Sequence, residues 1–172
     1  MRDEPADPGL DVVRSSAFVP VPPAQVAELF WDIRAWHAIW TKIDDVEVHY
    51  DDRVHQEFAM GVQRDGRRED VRTIRYRRDD GDIDFFSPAP PPTMDVHNGG
   101  WGFHVDAARP GCCHVTARRA YRLVRAVGES DDAYGRRRQA YGERFAQRLD
   151  AILACFVAHY AQPRPQHPEV AT

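Results

Sequence analysis

The sequence is poor in cysteine, in charge of one sign and in long apolar runs. Its three cysteines, Cys112, Cys113 and Cys155, are odd in number, and two are adjacent. That is a weak disulfide framework, and the spacing matches no zinc site. The economical expectation is a reduced, cytoplasmic protein with thiols inside a strand and a helix. Neither Cys112 nor Cys113 has the helix start or basic neighbour that makes a thiol nucleophilic. No apolar stretch approaches the roughly 20 residues that span a bilayer, so no membrane association is expected. The opening MRDEPADPGL is acidic and proline-bearing, without the apolar segment of a signal peptide. The net charge is −4, and most arginines are interleaved with Asp and Glu. Phosphate contacts need clustered positive charge, so a nucleic-acid partner is excluded. The only basic run, Arg136-Arg137-Arg138, is expected on a solvated helix face.

What is present is one long amphipathic segment and a series of alternating ones. At 172 residues the chain fits one domain, expected over 11–162, with mobile polar tails at 1–10 and 163–172. From Asp131 to about Gln162 the spacing predicts a helix. Tyr134, Tyr141, Phe145, Leu149, Ile152, Leu153, Phe156 and Tyr160 recur in helical steps, and charged residues fill the gaps. Ser130, Asp131 and Asp132 suit its start, and Pro163 and Pro165 its end. Upstream, a strand over 12–21 precedes Pro22-Pro23 and a helix over 24–36, with a shorter helical turn at 37–43. Strands are then expected at 46–50, 54–63, 69–78, 83–86, 94–107 and 112–126, joined by turns such as Arg64-Asp65-Gly66-Arg67. Ser87 to Pro92 reads as a stiff connector without ladder donors, and Gly99-Gly100 as a bulge or bend. Strands linked by tight turns form an antiparallel sheet, which twists and curls. The fold class expected is α+β: a curved antiparallel sheet wrapped around a long C-terminal helix.

This order resembles the helix-grip fold of the START/Bet v 1-like (SRPBCC) superfamily. Val19-Pro20-Val21-Pro22-Pro23-Ala24-Gln25-Val26 resembles the strand–proline–helix opening of those proteins. Asp32 to Trp36 resembles their D-x-x-x-W-P signature, with His37 standing where proline is usual. Asn98-Gly99-Gly100-Trp101-Gly102-Phe103 and Val115 to Arg119 are similar to a pattern of bacterial polyketide aromatase/cyclases. The resemblance implies an internal cavity and a cofactor-independent, lyase-like cyclase/dehydrase of secondary metabolism. Such an enzyme directs aldol ring closure and dehydration of a poly-β-ketone held by an acyl carrier protein. No metal or organic cofactor is implied. The alternative is a carrier or self-resistance protein of the same fold, monomeric or homodimeric, that binds an apolar small molecule unchanged.

Cyclisation needs a folded chain, a stabilised enolate and proton transfers. By position Arg75 matches the arginine that the resemblance implies for the enolate, and a guanidinium stays protonated at working pH. Histidine is the natural proton-transfer group. His97 is preferred over His37, His55 and His114, because it shares a parity with Gly99, Trp101 and Phe103. Trp36, Trp40, Trp101, Phe103, Tyr141 and Phe145 are candidate walls, with Thr73 beside Arg75. On the last strand, either the face of Arg119 and Tyr121 or that of Arg118 could line the space.

Overall fold

The computed structural model describes residues 9–64 and 66–161. The expected tails, apart from Gly9 and Leu10, lie outside the described residues, as does Asp65 of the expected hairpin turn. The elements run β1 (Asp11–Val19), α1 (Pro23–Trp31), a 3-10 turn (Ile33–Ala35), α2 (Trp36–Ile39), β2 (Ile43–Asp51), β3 (His55–Arg64), β4 (Arg67–Arg77), β5 (Ile83–Ala89), β6 (Met94–Val105), β7 (Cys113–Leu123) and α3 (Asp131–Ala161). The strands form a seven-stranded sheet in the order β1-β7-β6-β5-β4-β3-β2. Every neighbouring pair is antiparallel. From β2 to β7 each strand lies beside the next in sequence, as expected of tight turns.

Helix α3 begins where Ser130 Oγ accepts the Ala133 N–H at 3.3 Å, with Asp131 and Asp132 in the first turn. Its buried residues are Phe145, Leu149, Ile152, Leu153 and Phe156. Tyr134, Tyr141 and Tyr160 flank them half-buried, so the helical spacing read from sequence is the face that meets the sheet. Phe156 stacks on Phe30 of α1 at 4.1 Å between centroids and meets Trp36 edge-on at 5.0 Å. These aromatic contacts tie both chain ends into one core.

Four local readings change. The first helix is shorter than expected: α1 stops at Trp31, and Asp32 takes a non-helical conformation before the 3-10 turn. The basic run is not merely solvated. Arg138 makes a two-pronged bond to the Asp11 carboxylate of β1, and Arg137 binds Glu129 and the Val124 carbonyl, fixing the start of α3. Strand β5 continues through Pro88 to Ala89, which pairs with Arg72 of β4 after a register shift. Its pairing with β6 ends at Phe86, so the missing proline N–H is tolerated on a one-sided stretch. Finally, β6 passes through Gly99 and Gly100 in unbroken register with Arg119 and Arg118, and its irregularity lies between Met94 and Val96. The glycines serve close approach instead. A Cβ on Gly99 would collide with the Arg118 carbonyl and stand 3.0 Å from the Phe85 ring.

Replacing Phe156 by Ala should lower stability by about 3–5 kcal/mol, the range for truncating a large buried aromatic. Urea unfolding followed by circular dichroism checks this; a loss below about 1 kcal/mol would mean that α3 is anchored elsewhere.

Candidate functional site

The concave face of the sheet carries a row of residues in mutual register across six strands: Gln56, Arg75, Phe85, Gly99, Arg119 and Val13. Two arginines therefore stand on the inner face of one curved sheet, both buried. Above them a cavity of about 100 Å³ remains, closed by α3 and by the segment around Trp36 and Trp40. Its walls include Trp36, Trp40, Phe58, Phe85, Trp101 and Phe145; its polar groups are Arg64, Thr73, Arg75, His97, Arg119 and Arg148. No Asp or Glu is among the described residues lining it. An outer groove containing Lys42, Gln63 and Gly66 shares Trp40, Arg64 and Arg148 with the cavity, so those three stand between inside and outside.

Of the candidate residues, Arg75, His97, Trp36, Trp40, Thr73, Trp101 and Phe145 line the cavity. Phe103, Tyr121 and Tyr141 do not. Phe103 lies farther along β6, against Phe30 at 5.2 Å. Tyr121 packs on Tyr141 and Phe145, both at 5.3 Å, near the start of α3. Phe103 and Tyr121 are on the inner face of the sheet and Tyr141 is on α3, and all three pack in the core outside the cavity. His37 is exposed, His55 sits by Asp52, and His114 stacks on Phe18 away from the cavity. Of the two faces of β7, that of Arg119 and Tyr121 is the buried one.

Arg75 is 3% exposed. One Nη donates to the Phe30 carbonyl at 2.8 Å and the other to the Trp31 carbonyl. These are orphan acceptors at the C-terminal end of α1, so the guanidinium caps that helix and bolts it to β4. Gln56 adds a bond to the same Trp31 carbonyl and another to Asp51 at 2.5 Å. Phe58 and Trp31 flank the Arg75 cation at 5.1 and 4.8 Å. Burial lowers its pKa to about 9, and it stays charged at neutral pH.

Arg119 differs. Its guanidinium lies 4.1 Å from the Trp101 ring centre and 4.7 Å from that of Phe85. Gly99, between Phe85 and Arg119 in the row, has no side chain to keep them apart. One Nη donates to the Gly100 and Arg118 carbonyls at 3.2 and 2.8 Å, and among the described residues no carboxylate pairs with it. Burial lowers its pKa to about 9. A cation–π sandwich and two carbonyls hold a full positive charge inside the protein.

His97 neighbours Arg119 on the inner face, one row along. Its Nδ1 is 3.0 Å from Ser87 Oγ, and its buried Nε2 has no partner. Burial first, then Arg119, Arg64 and Arg148, lower its pKa to about 3, so it is a neutral imidazole at neutral pH. Ser87 can donate to Nδ1 or accept from it, which leaves Nε2 the opposite role. Arg64 and Arg148 were not read from sequence. They lie far apart in the chain, and only the closure of α3 over β3 brings them to one corner. Among the described residues no His, Cys, Asp and Glu cluster could hold a metal, and no helix is long and apolar enough to cross a membrane. Burial pushes the Cys113 thiol up to about 11.

This is the helix-grip fold. The chain superposes on the Zhui aromatase/cyclase from a Streptomyces species with a TM-score of 0.68 at 17% identity, over 84% of this chain and 92% of that one. It matches the di-domain aromatase/cyclase BexL of the BE-7585A biosynthetic pathway with a TM-score of 0.76 at 17% identity, over 91% of this chain and 52% of that one. A START superfamily protein from Mycobacterium smegmatis aligns with a TM-score of 0.71 at 8% identity, over 87% and 96% of the two chains. No family model and no curated protein matches the sequence. At these identities the likeness establishes the START/Bet v 1-like fold.

His97 supplies a pH signature. Its folded pKa lies below its ordinary value of 6.5, so between these the unfolded chain binds a proton that the folded chain refuses. Stability contributed by the neutral imidazole is present above pH 6.5 and is lost as the pH falls toward 3. Between pH 6 and 5 the wild type should lose about 1 kcal/mol more than His97→Gln, approaching the 1.4 kcal/mol of one proton per pH unit. Urea unfolding at the two pH values tests this, and equal losses would show that His97 accepts its proton in the folded protein.

Proposed function

We propose that the protein is a cofactor-independent aromatase/cyclase of the polyketide type. In this reading the cavity holds a poly-β-carbonyl chain and promotes one aldol ring closure and its dehydration. The observation that supports it most is the buried Arg119 guanidinium, without a carboxylate partner, beside the neutral His97 in an aromatic cavity. Loss of a proton from a methylene between two carbonyls leaves an enolate. The enolate carbon attacks a ketone carbon, the new alkoxide takes up a proton, and water leaves across the bond just formed. Negative charge thus appears first on one oxygen and then on another. A fixed cation in a dry site stabilises both. Arg119 suits that task better than Arg75, whose two Nη groups are already bonded to the α1 carbonyls.

Nε2 of His97 is the proton carrier. Its low proton affinity comes first from burial and then from three guanidiniums. An enolate in the cavity would offset their charge and raise that affinity as the proton arrives. Trp36, Trp101 and Phe145 would hold the chain folded so that the reacting carbons meet; such placement can lower a barrier by about 7–11 kcal/mol. The cavity volume of about 100 Å³ is well below that of drug-sized ligand sites, so it takes the reacting segment while the rest of the chain extends past Trp40. The small volume also favours a second reading, in which a compact metabolite is bound and released unchanged.

The test is product analysis of a poly-β-ketone generated in vitro, with and without this protein. The expected result is one cyclised, dehydrated aromatic product replacing the spontaneous mixture, and a rate about 10²–10³-fold lower with Arg119→Met. An unchanged mixture in the presence of folded wild-type protein would leave only the binding reading.

A further inference from the structure

The corner of the cavity nearest the outer groove is built from Arg64 at the end of β3, Arg148 on α3 and His97 on β6. One nitrogen of each is buried and lacks a hydrogen-bond partner among the described residues: Arg64 Nε, Arg148 Nη1 and His97 Nε2. A buried donor or acceptor without a partner is destabilising, so three such atoms in one corner favour a ligand that satisfies them. The charges are equally one-sided. Arg148 acts on Arg64 and both act on His97, each disfavouring the protonated form. Among the described residues the one carboxylate on either guanidinium is Glu69, 2.7 Å from Arg64 Nη1, and it is not part of the cavity wall. Phe145 lies against the Arg148 cation at 5.4 Å, and the walls beyond are aromatic. The corner asks for hydrogen-bond acceptors and negative charge, and the remainder for an apolar body.

We propose that Arg64 and Arg148, beside His97, form a carboxylate-binding corner, so that this protein takes its ligand as a free carboxylic acid. A carboxylate can accept from both guanidiniums, which leaves His97 Nε2 for proton transfer. A thioester would bring a neutral carbonyl to the same place. It would leave the guanidiniums uncompensated and the donors underused. The acyl carrier protein that the sequence resemblance implies as partner is therefore not needed to present the chain. The inference rests on this cavity being the ligand site and is independent of which reaction, if any, occurs there.

The experiment is a titration of the full chain with benzoate, benzamide, the N-acetylcysteamine thioester of benzoic acid and 4′-phosphopantetheine. Indole N–H resonances of Trp36, Trp40 and Trp101 report binding by two-dimensional NMR. Benzoate should bind at least ten-fold more tightly than the amide or the thioester, and that preference should vanish in Arg148→Met and in Arg64→Met. Arg136→Gln, an exposed change away from the cavity, should leave it intact. Benzamide binding should persist in the Met variants, showing that the cavity remains formed. Equal binding of acid and amide, or no binding of either, overturns the proposal. So does a thioester that binds as tightly as the acid, or phosphopantetheine displacing benzoate, since the corner would then serve a carrier's arm. A benzoate preference without any cyclisation would sink the enzymatic reading and leave this one standing.

Discussion

A positive charge without a counter-ion is held inside this protein by geometry that begins with a missing side chain. Phe85, Gly99 and Arg119 follow one another across three neighbouring strands on the same face. With only hydrogen at the middle position, the outer two can meet, and the guanidinium settles between the Phe85 and Trp101 rings. Desolvating a cation in this way is unfavourable on its own. Two aromatic faces and two backbone carbonyls offset part of that penalty, and the rest of the inner surface is arranged around the result. Burial first, and this cation after it, keep His97 neutral, and any ligand oxygen that enters would meet a field already in place.

The second buried arginine shows how the same chemistry can be spent on architecture. Arg75 stands in the same row, yet its Nη groups close off the last carbonyls of α1. The segment after α1 carries Trp36 and Trp40, so this bond sets the position of one cavity wall. One arginine is bonded to a helix end while the other is held only by two carbonyls and two rings beside the cavity. The contrast depends on partners and not on burial, which is nearly the same for the two.

Much of this was legible in the sequence, for physical reasons. The long helix and the paired strands follow from periodicities of 3.6 and 2, because a one-sided apolar pattern must be buried against a partner. That Thr73 and Arg75 share one face follows from the same rule. What alternation could not supply was choice among partners. Whether Arg75 meets a ligand or a helix end depends on where α1 stops, and α1 stops because Asp32 leaves the helical conformation. Arg64 and Arg148 looked like ordinary surface charges because each is polar in a locally wet stretch. Gly99-Gly100 read as a bulge because glycine signals both irregular backbone and close packing, and only the neighbouring strands decide between them.

The contact of Phe156 with Phe30 has a consequence for how the molecule comes into being. These rings belong to α1 and α3, so the hydrophobic centre cannot be completed until α3 has been synthesised. A nascent chain halted before α3 would present a cupped, half-greasy ribbon with nothing to cover it. Such a species is sticky, and a ribosome-bound intermediate of this kind is a natural client for holding chaperones.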